Sequence, residues 1–353
     1  MRSTTPTDRS KAVPASIAEV VQDPDWLAHR YDPQFDAIHF VRVSRAMHHD
    51  ATFLTDEWLP EGSQPVVLRR EEVMAAAPAP APLHFIFHSA YCCSTLLARA
   101  FDRPDWAMAL KEPVILNDIV GWRRRGAPES SAMLVLDDAL TLMARPFAPK
   151  EAVLVKPSTV GNGLAAPILA LRPNSRAVLL YAPLRTYLQS IAKKGLDGRL
   201  WVRTMMAGML DDNLADFGFT ERDLMGQTDL QIAALGWLAN HRLFADLIRR
   251  FGSSRLRSLD SGTLMENPGL AIDQLAKLFE LPLAPSARNE IIAGPAFKRH
   301  SKSGAAFDAI DRAAEHRAAA DIYSEEIDKV MIWTKAFADA LTIETNPIAP
   351  LIR

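Results

Sequence analysis

A chain of 353 residues, 48% hydrophobic and 23% charged, has an ordinary soluble composition and room for one large α/β domain or two smaller ones. Its formal charge of −2 gives no overall basic field for nucleic acid or an anionic membrane, so an anion site has to be built locally. No stretch approaches the roughly 20 apolar residues of a membrane span, and the N-terminus has no signal-peptide core. The two cysteines, Cys92 and Cys93, are adjacent, which argues against a structural disulfide and suits a reducing, cytoplasmic setting.

Residues 1–17 are polar with Pro6 and Pro14 and read as a disordered tail. Residues 18–74 form an accessory segment, in which "DAIHFVRV" alternates like a strand. The Ala/Pro run at 75–82 reads as a stiff linker. From 83 to 345 the pattern becomes regular. Strand-like runs fall at 83–88, 107–110, 152–156, 176–182 and 255–260, with helical stretches such as "STLLARAF", "EPVILNDIVGWRR", "GLAAPILALR" and "RTYLQSIAKK" between them. The segment 229–251 places Leu230, Ala234, Trp237, His241, Phe244, Ile248 and Phe251 on one stripe, and 268–280 and 317–341 continue a helical C-terminal part. Short apolar strands alternating with helices predict a three-layer α/β/α fold on a central, mainly parallel sheet.

Ligands of such sheets bind beyond the carboxyl ends of the strands. There, after the first strand of the regular part, lies "HSAYCCST", residues 88–95. It has the length of a phosphate loop, but in the pattern G-x-x-x-x-G-K-[ST] the glycines are His88 and Cys93 and the lysine is Ser94. Only Thr95 fits. Backbone amides and a helix dipole make this an anion cradle; a closely packed strand–turn–helix joint is the other reading. The cysteines read as small buried thiols.

Three stretches together resemble the sulfotransferase superfamily, over about 83–305. "FHSAYCCSTLLARAF" is similar to the family's 5′-phosphosulfate loop, with Cys92, Cys93, Ser94 and Thr95 over its S-G-T-T positions. "AVLLYAPLRTYLQS" is similar to the strand and helix that hold the 3′-phosphate, with Pro183 and Ser190 in those roles. The run 255–283, with "ENP" opening a helix, matches a late family element. The chain departs from the pattern at Tyr91 and Tyr181, which stand where the family has basic residues, and Ser190 comes one residue later than usual.

The resemblance implies a P-loop NTPase-like fold and transfer of a sulfuryl group from 3′-phosphoadenosine 5′-phosphosulfate (PAPS) to a small-molecule, glycan or peptide acceptor. It implies a donor site of Ser89, Ala90, Tyr91, Cys92, Cys93, Ser94 and Thr95, with Arg185, Ser190, Arg299 and Lys302 supplying the hydroxyl and positive charge for the rest. Lys111 or Lys156, both at strand ends, would neutralise the leaving oxygen, and Glu112 would take the acceptor's proton. A solvated lysine and an ion-paired carboxylate are the plain alternatives for these residues. His241 is a second candidate base or a core histidine, and His48 and His49 suggest no metal site. A P-loop kinase of small molecules and a non-catalytic binding protein of the same fold compete with this reading. Acceptor choice is expected in loops at 121–150 and 196–228, and in the N-terminal segment. Oligomeric state is not written in the sequence.

Overall fold

The computed structural model describes residues 16–59, 64–298, 309–346 and 348–352, apart from the side chains of 309–322. Of the expected tail only Ser16 and Ile17 fall within it, opening the helix Ile17–Gln22. An antiparallel sheet of β1 (Trp26–Asp32), β2 (Ala37–Arg42) and β3 (Val66–Arg69) precedes the main sheet. The main sheet comprises β4 (Leu83–His88), β5 (Ala107–Lys111), β6 (Ala152–Lys156), β7 (Ala177–Tyr181) and β8 (Leu256–Asp260). Its order is β5-β6-β4-β7-β8, with every pair parallel.

The unbroken apolar runs of these strands follow from burial on both faces. Phe85, Phe87, Val153 and Val155 face one core, which includes residues of the helices Val114–Arg124, Glu129–Met143 and Ala165–Leu171. Ile86, Leu154, Val178 and Leu180 face the other, against the helices Ser94–Phe101 and Leu184–Lys193. The helix Asp229–Phe251 starts at a Thr228–Gln231 capping box and contributes to both cores. The architecture is three-layered α/β/α. Two expected loops are largely helical instead: Glu129–Met143 lies within 121–150, and Gly195–Asp211 and Glu221–Met225 within 196–228.

The N-terminal unit is fastened to the main domain by charge. The Arg145 guanidinium, 6% exposed, donates to the carbonyls of Val21 (2.7 Å), Trp26 (2.6 Å) and Leu142 (2.6 Å). Arg30 holds Asp118 through two bonds of 2.8 Å, and Arg70 and Arg45 reach Asp138 and Glu151, each at 2.5 Å. Lys111 belongs to this set. Its ammonium donates to His48 O (2.6 Å) and His49 O (2.9 Å), with Asp102 at 3.9 Å. Those carbonyls close the helix Arg45–Asp50, where the aligned peptide dipoles favour a cation.

At the far edge, residues 348–352 lie along β8. Ser258 N donates to Ala349 O and Leu351 N to Ser258 O, at 3.2 and 2.8 Å, with a parallel bridge between Ser258 and Pro350. Among the described residues no helix is long and apolar enough to cross a membrane.

Burial pushes the Lys111 ammonium down to about 8, with Asp102 opposing it. Between that value and the ordinary 10.5 the unfolded chain binds the extra proton, so stability rises with pH through this window. Urea titrations from pH 7.5 to 11 are expected to show a gain of up to about 3 kcal/mol that Lys111→Met lacks; equal slopes in the two chains would contradict it.

Candidate active site

The connection leaving β4 runs towards β5, and the one leaving β7 runs towards β8 on the opposite side. The carboxyl ends of these two neighbours therefore flank a crevice, the usual ligand position of an open parallel sheet. The loop 89–93 sits there. Ser89 N and the Cys92 thiol both donate to Leu180 O, at 3.1 and 3.4 Å, which ties the loop to β7. Burial pushes the Cys92 thiol up to about 12, so it stays protonated and structural.

The loop has no glycine but keeps a glycine-like path. Ala90, Tyr91 and Cys93 all adopt left-handed backbone, with φ of 68°, 51° and 65°, at a cost of roughly 1–2 kcal/mol each. His88 braces the turn that a first glycine would otherwise make. Its Nδ1 accepts from Ala90 N (3.2 Å), and its Nε2–H donates to Pro157 O (3.0 Å). Asn162 Nδ2 adds bonds to His88 O (3.0 Å) and Asn240 Oδ1 (2.7 Å). Cys93 then caps the helix Ser94–Phe101 without a side-chain bond, and Ser94 and Thr95 lie buried in its first turn.

Charge enters from β6. The Lys156 ammonium, 1% exposed, is paired with the Glu112 carboxylate, and its positive field reaches the Cys92 thiol of the loop. Glu112 follows β5 directly, with φ of 55° and its amide donating to Lys156 O at 2.7 Å. This turn aims the carboxylate at the neighbouring strand. Lys111 does not join the pair: its ammonium is held by the N-terminal unit, as described above.

Tyr91 and Tyr181, at the two positions where the sequence resemblance expects cations, are aromatic and uncharged. Tyr91 packs on Tyr187 and Trp201, with centroids at 6.0 and 5.3 Å. Tyr181 meets His241 edge-on at 5.0 Å, and His241 lies 3.6 Å from Trp237. Burial pushes the His241 imidazole down to about 3, which keeps it neutral at physiological pH. Arg185 reaches Asp328 at 2.6 Å, and the Ser190 hydroxyl donates back to Thr186 O at 2.8 Å. Arg299 and Lys302 lie outside the described residues.

Five buried polar atoms at this end of the sheet have no hydrogen-bond partner among the described residues: Ser89 Oγ, Asn162 Oδ1, Tyr187 Oη, His241 Nε2 and Ser261 Oγ. Buried polar groups are nearly always paired, so their gathering around the ends of β4, β7 and β8 fits a site that completes itself on binding. Sequence reasoning missed the roles of His88, Asn162 and Tyr187, although a histidine standing in place of a glycine was a visible signal. A cavity of about 490 Å³, lined by Arg176, Arg257 and Lys277 among others, opens at the amino ends of β7 and β8, away from this loop. No group of three or more His, Cys, Asp or Glu placed for a metal ion occurs among the described residues; His48 is buried while His49 pairs with Asp102 at 3.2 Å.

No family model matches the chain, and no curated protein matches it. Among solved structures it is similar to the sulfotransferase domain from the curacin biosynthetic pathway, at 15% identity and a TM-score of 0.43, covering 76% of this chain and 100% of that one. The sulfotransferase domain from the Synechococcus PCC 7002 olefin synthase matches at 12% identity and a TM-score of 0.38, covering 70% and 95%. Sulfotransferase STF9 from Mycobacterium avium matches at 13% identity and a TM-score of 0.40, covering 72% and 78%.

The left-handed backbone at Ala90 is open to a direct test. Ala90→Gly removes the steric cost and adds a smaller entropic one, so a gain of up to about 1 kcal/mol in denaturant unfolding is expected. A loss of that size would mean that the loop is unstrained.

Proposed function

We propose that this chain transfers a sulfuryl group from PAPS to a hydroxyl or amine. The observation that carries the reading is the pair of a buried Lys156 with a partly exposed Glu112, a cation and a base side by side next to a left-handed strand–helix loop at the sheet's crevice. Bound there, PAPS supplies an activated sulfuryl group and a phosphate leaving group. The unpartnered Ser89, Tyr187 and Ser261 hydroxyls fit a polar, anionic ligand.

Such a transition state spreads negative charge over equatorial and leaving oxygens, so positioning and fixed cations do most of the catalysis. The amides of the loop and of the helix start would hold the phosphosulfate. Lys156 would turn from Glu112 towards the leaving oxygen and neutralise it. Glu112, released from its partner, would take the acceptor's proton. Ser190 and Arg185 would exchange their present bonds to Thr186 O and Asp328 for the 3′-phosphate.

A second reading, a non-catalytic binding protein of the same fold, is favoured by one observation: Tyr91 and Tyr181 put no charge where the related family has cations. Calorimetric titration with adenosine 3′,5′-bisphosphate, with ATP and Mg²⁺ alongside, separates the readings. Micromolar binding of the bisphosphate, lost in Lys156→Ala and in Ser190→Ala, is expected. Preference for ATP would favour a small-molecule kinase, and binding of neither would leave the second reading standing. Glu112→Gln is expected to keep bisphosphate binding while lowering transfer by about 10²-fold or more; unchanged transfer would remove Glu112 from the role of base.

A further inference from the structure

The Lys156–Glu112 pair is walled on one side by residues from outside the main sheet. Residues 51–59 of the N-terminal unit pass between the end of β5 and the helix Val114–Arg124. They are stitched there by Leu54 N to Lys111 O (2.7 Å) and Val114 N to Leu54 O (3.3 Å). Thr52 and Leu54 are buried, and Phe53 between them is half-buried. The Phe53 ring lies over the Lys156 ammonium, its centroid 5.3 Å from Nζ. Trp58 stands edge-on to Phe53, with centroids 5.9 Å apart at 89°, and is 40% exposed.

Resting on the transfer reading above, we infer that Phe53 and Trp58 form the acceptor wall of the site and that the acceptor is a hydroxyl borne on an aromatic ring. In this structure the face of Phe53 is taken by the ammonium. Trp58 keeps exposed ring surface for stacking a flat ligand. Sugars and peptides call for several polar contacts, and two of the segment's polar side chains are already engaged. Thr52 is buried, and Asp56 is committed to His29 (2.6 Å) and Arg30 (2.5 Å).

Proton chemistry favours the same class. A carboxylate base takes a proton far more readily from a phenol, near about 10, than from a water-like hydroxyl, near about 15.7. In the step itself the phenolic oxygen forms a bond to sulfur as the bond from sulfur to the donor's phosphate oxygen breaks. The electron pair stays on that phosphate oxygen beside Lys156, and the phenolic proton passes to Glu112.

The test is steady-state transfer from PAPS to 2-naphthol, 1-octanol and glucose by the full chain and by Trp58→Ala and Trp58→Phe, with bisphosphate affinity measured for each. Turnover of 2-naphthol is expected, with KM raised roughly 10-fold in Trp58→Ala and largely restored in Trp58→Phe. The turnover number and bisphosphate affinity are expected to stay within about twofold, which a merely structural defect would not leave intact. Preference for octanol or glucose, an unaltered KM in Trp58→Ala, or bisphosphate binding with no turnover of 2-naphthol would each overturn the aromatic acceptor and leave the donor site untouched. Failure to bind the bisphosphate would instead overturn the transfer reading, and this inference with it.

Discussion

Two lysines face each other across adjacent parallel strands, Lys111 at the end of β5 registered against Lys156 at the end of β6. Neither has more than 1% of its surface exposed. A cation taken out of water must be met by a counter-group of its own or be neutralised. The chain supplies two such groups. Lys111 is drawn to the carbonyls that end a helix of the N-terminal unit, and Lys156 is drawn to Glu112. One strand end thus becomes the anchor of an added unit, while its neighbour keeps a cation and a carboxylate beside the crevice. The left-handed backbone of Glu112 turns the chain sharply after β5, and its carboxylate meets Lys156 at the end of β6.

The glycine-poor loop shows a related trade. A phosphate loop needs left-handed backbone, and glycine provides it by lacking a Cβ. Here the same path is imposed from outside, by a histidine that accepts from one loop amide and donates to a neighbouring strand's extension, and by a thiol anchored to β7. A loop held this way is shaped before any ligand arrives, which lowers the cost of ordering it on binding.

Much of the main domain was legible because its strands are buried on both faces and read as apolar runs. The expected 83–88 and 152–156 coincide with β4 and β6, and 229–251 with its helix. The helix Glu129–Met143 was legible too, through Ala132, Val135, Leu136, Ala139, Leu140 and Met143 at helical spacing, although this stretch was expected as an acceptor loop. β3 has only four residues, intermediate or exposed throughout, so it carries no such signal. The destinations of the lysines were not legible at all. Both follow apolar strands, and what separates them is a helix end some 60 residues upstream for one and a carboxylate 44 residues upstream for the other. Sequence spacing does not encode such tertiary partners. Phe53 and Trp58 lie in the N-terminal segment, where acceptor choice was expected, but nothing in their spacing marks which of its residues approach Lys156.

The short pairing of the C-terminal residues with β8 has a consequence for how the molecule behaves in company. An outer strand of a parallel sheet offers unpaired amides and carbonyls to any extended peptide that passes, and is a common seed of aggregation. Here the amide, carbonyl and hydroxyl of Ser258 are already engaged by residues 348–351. The residue bridged to Ser258 is Pro350, which has no N–H to pass the ladder outward. At Ser258 the chain covers this edge with residues of its own, and the bridged residue cannot extend the ladder outward.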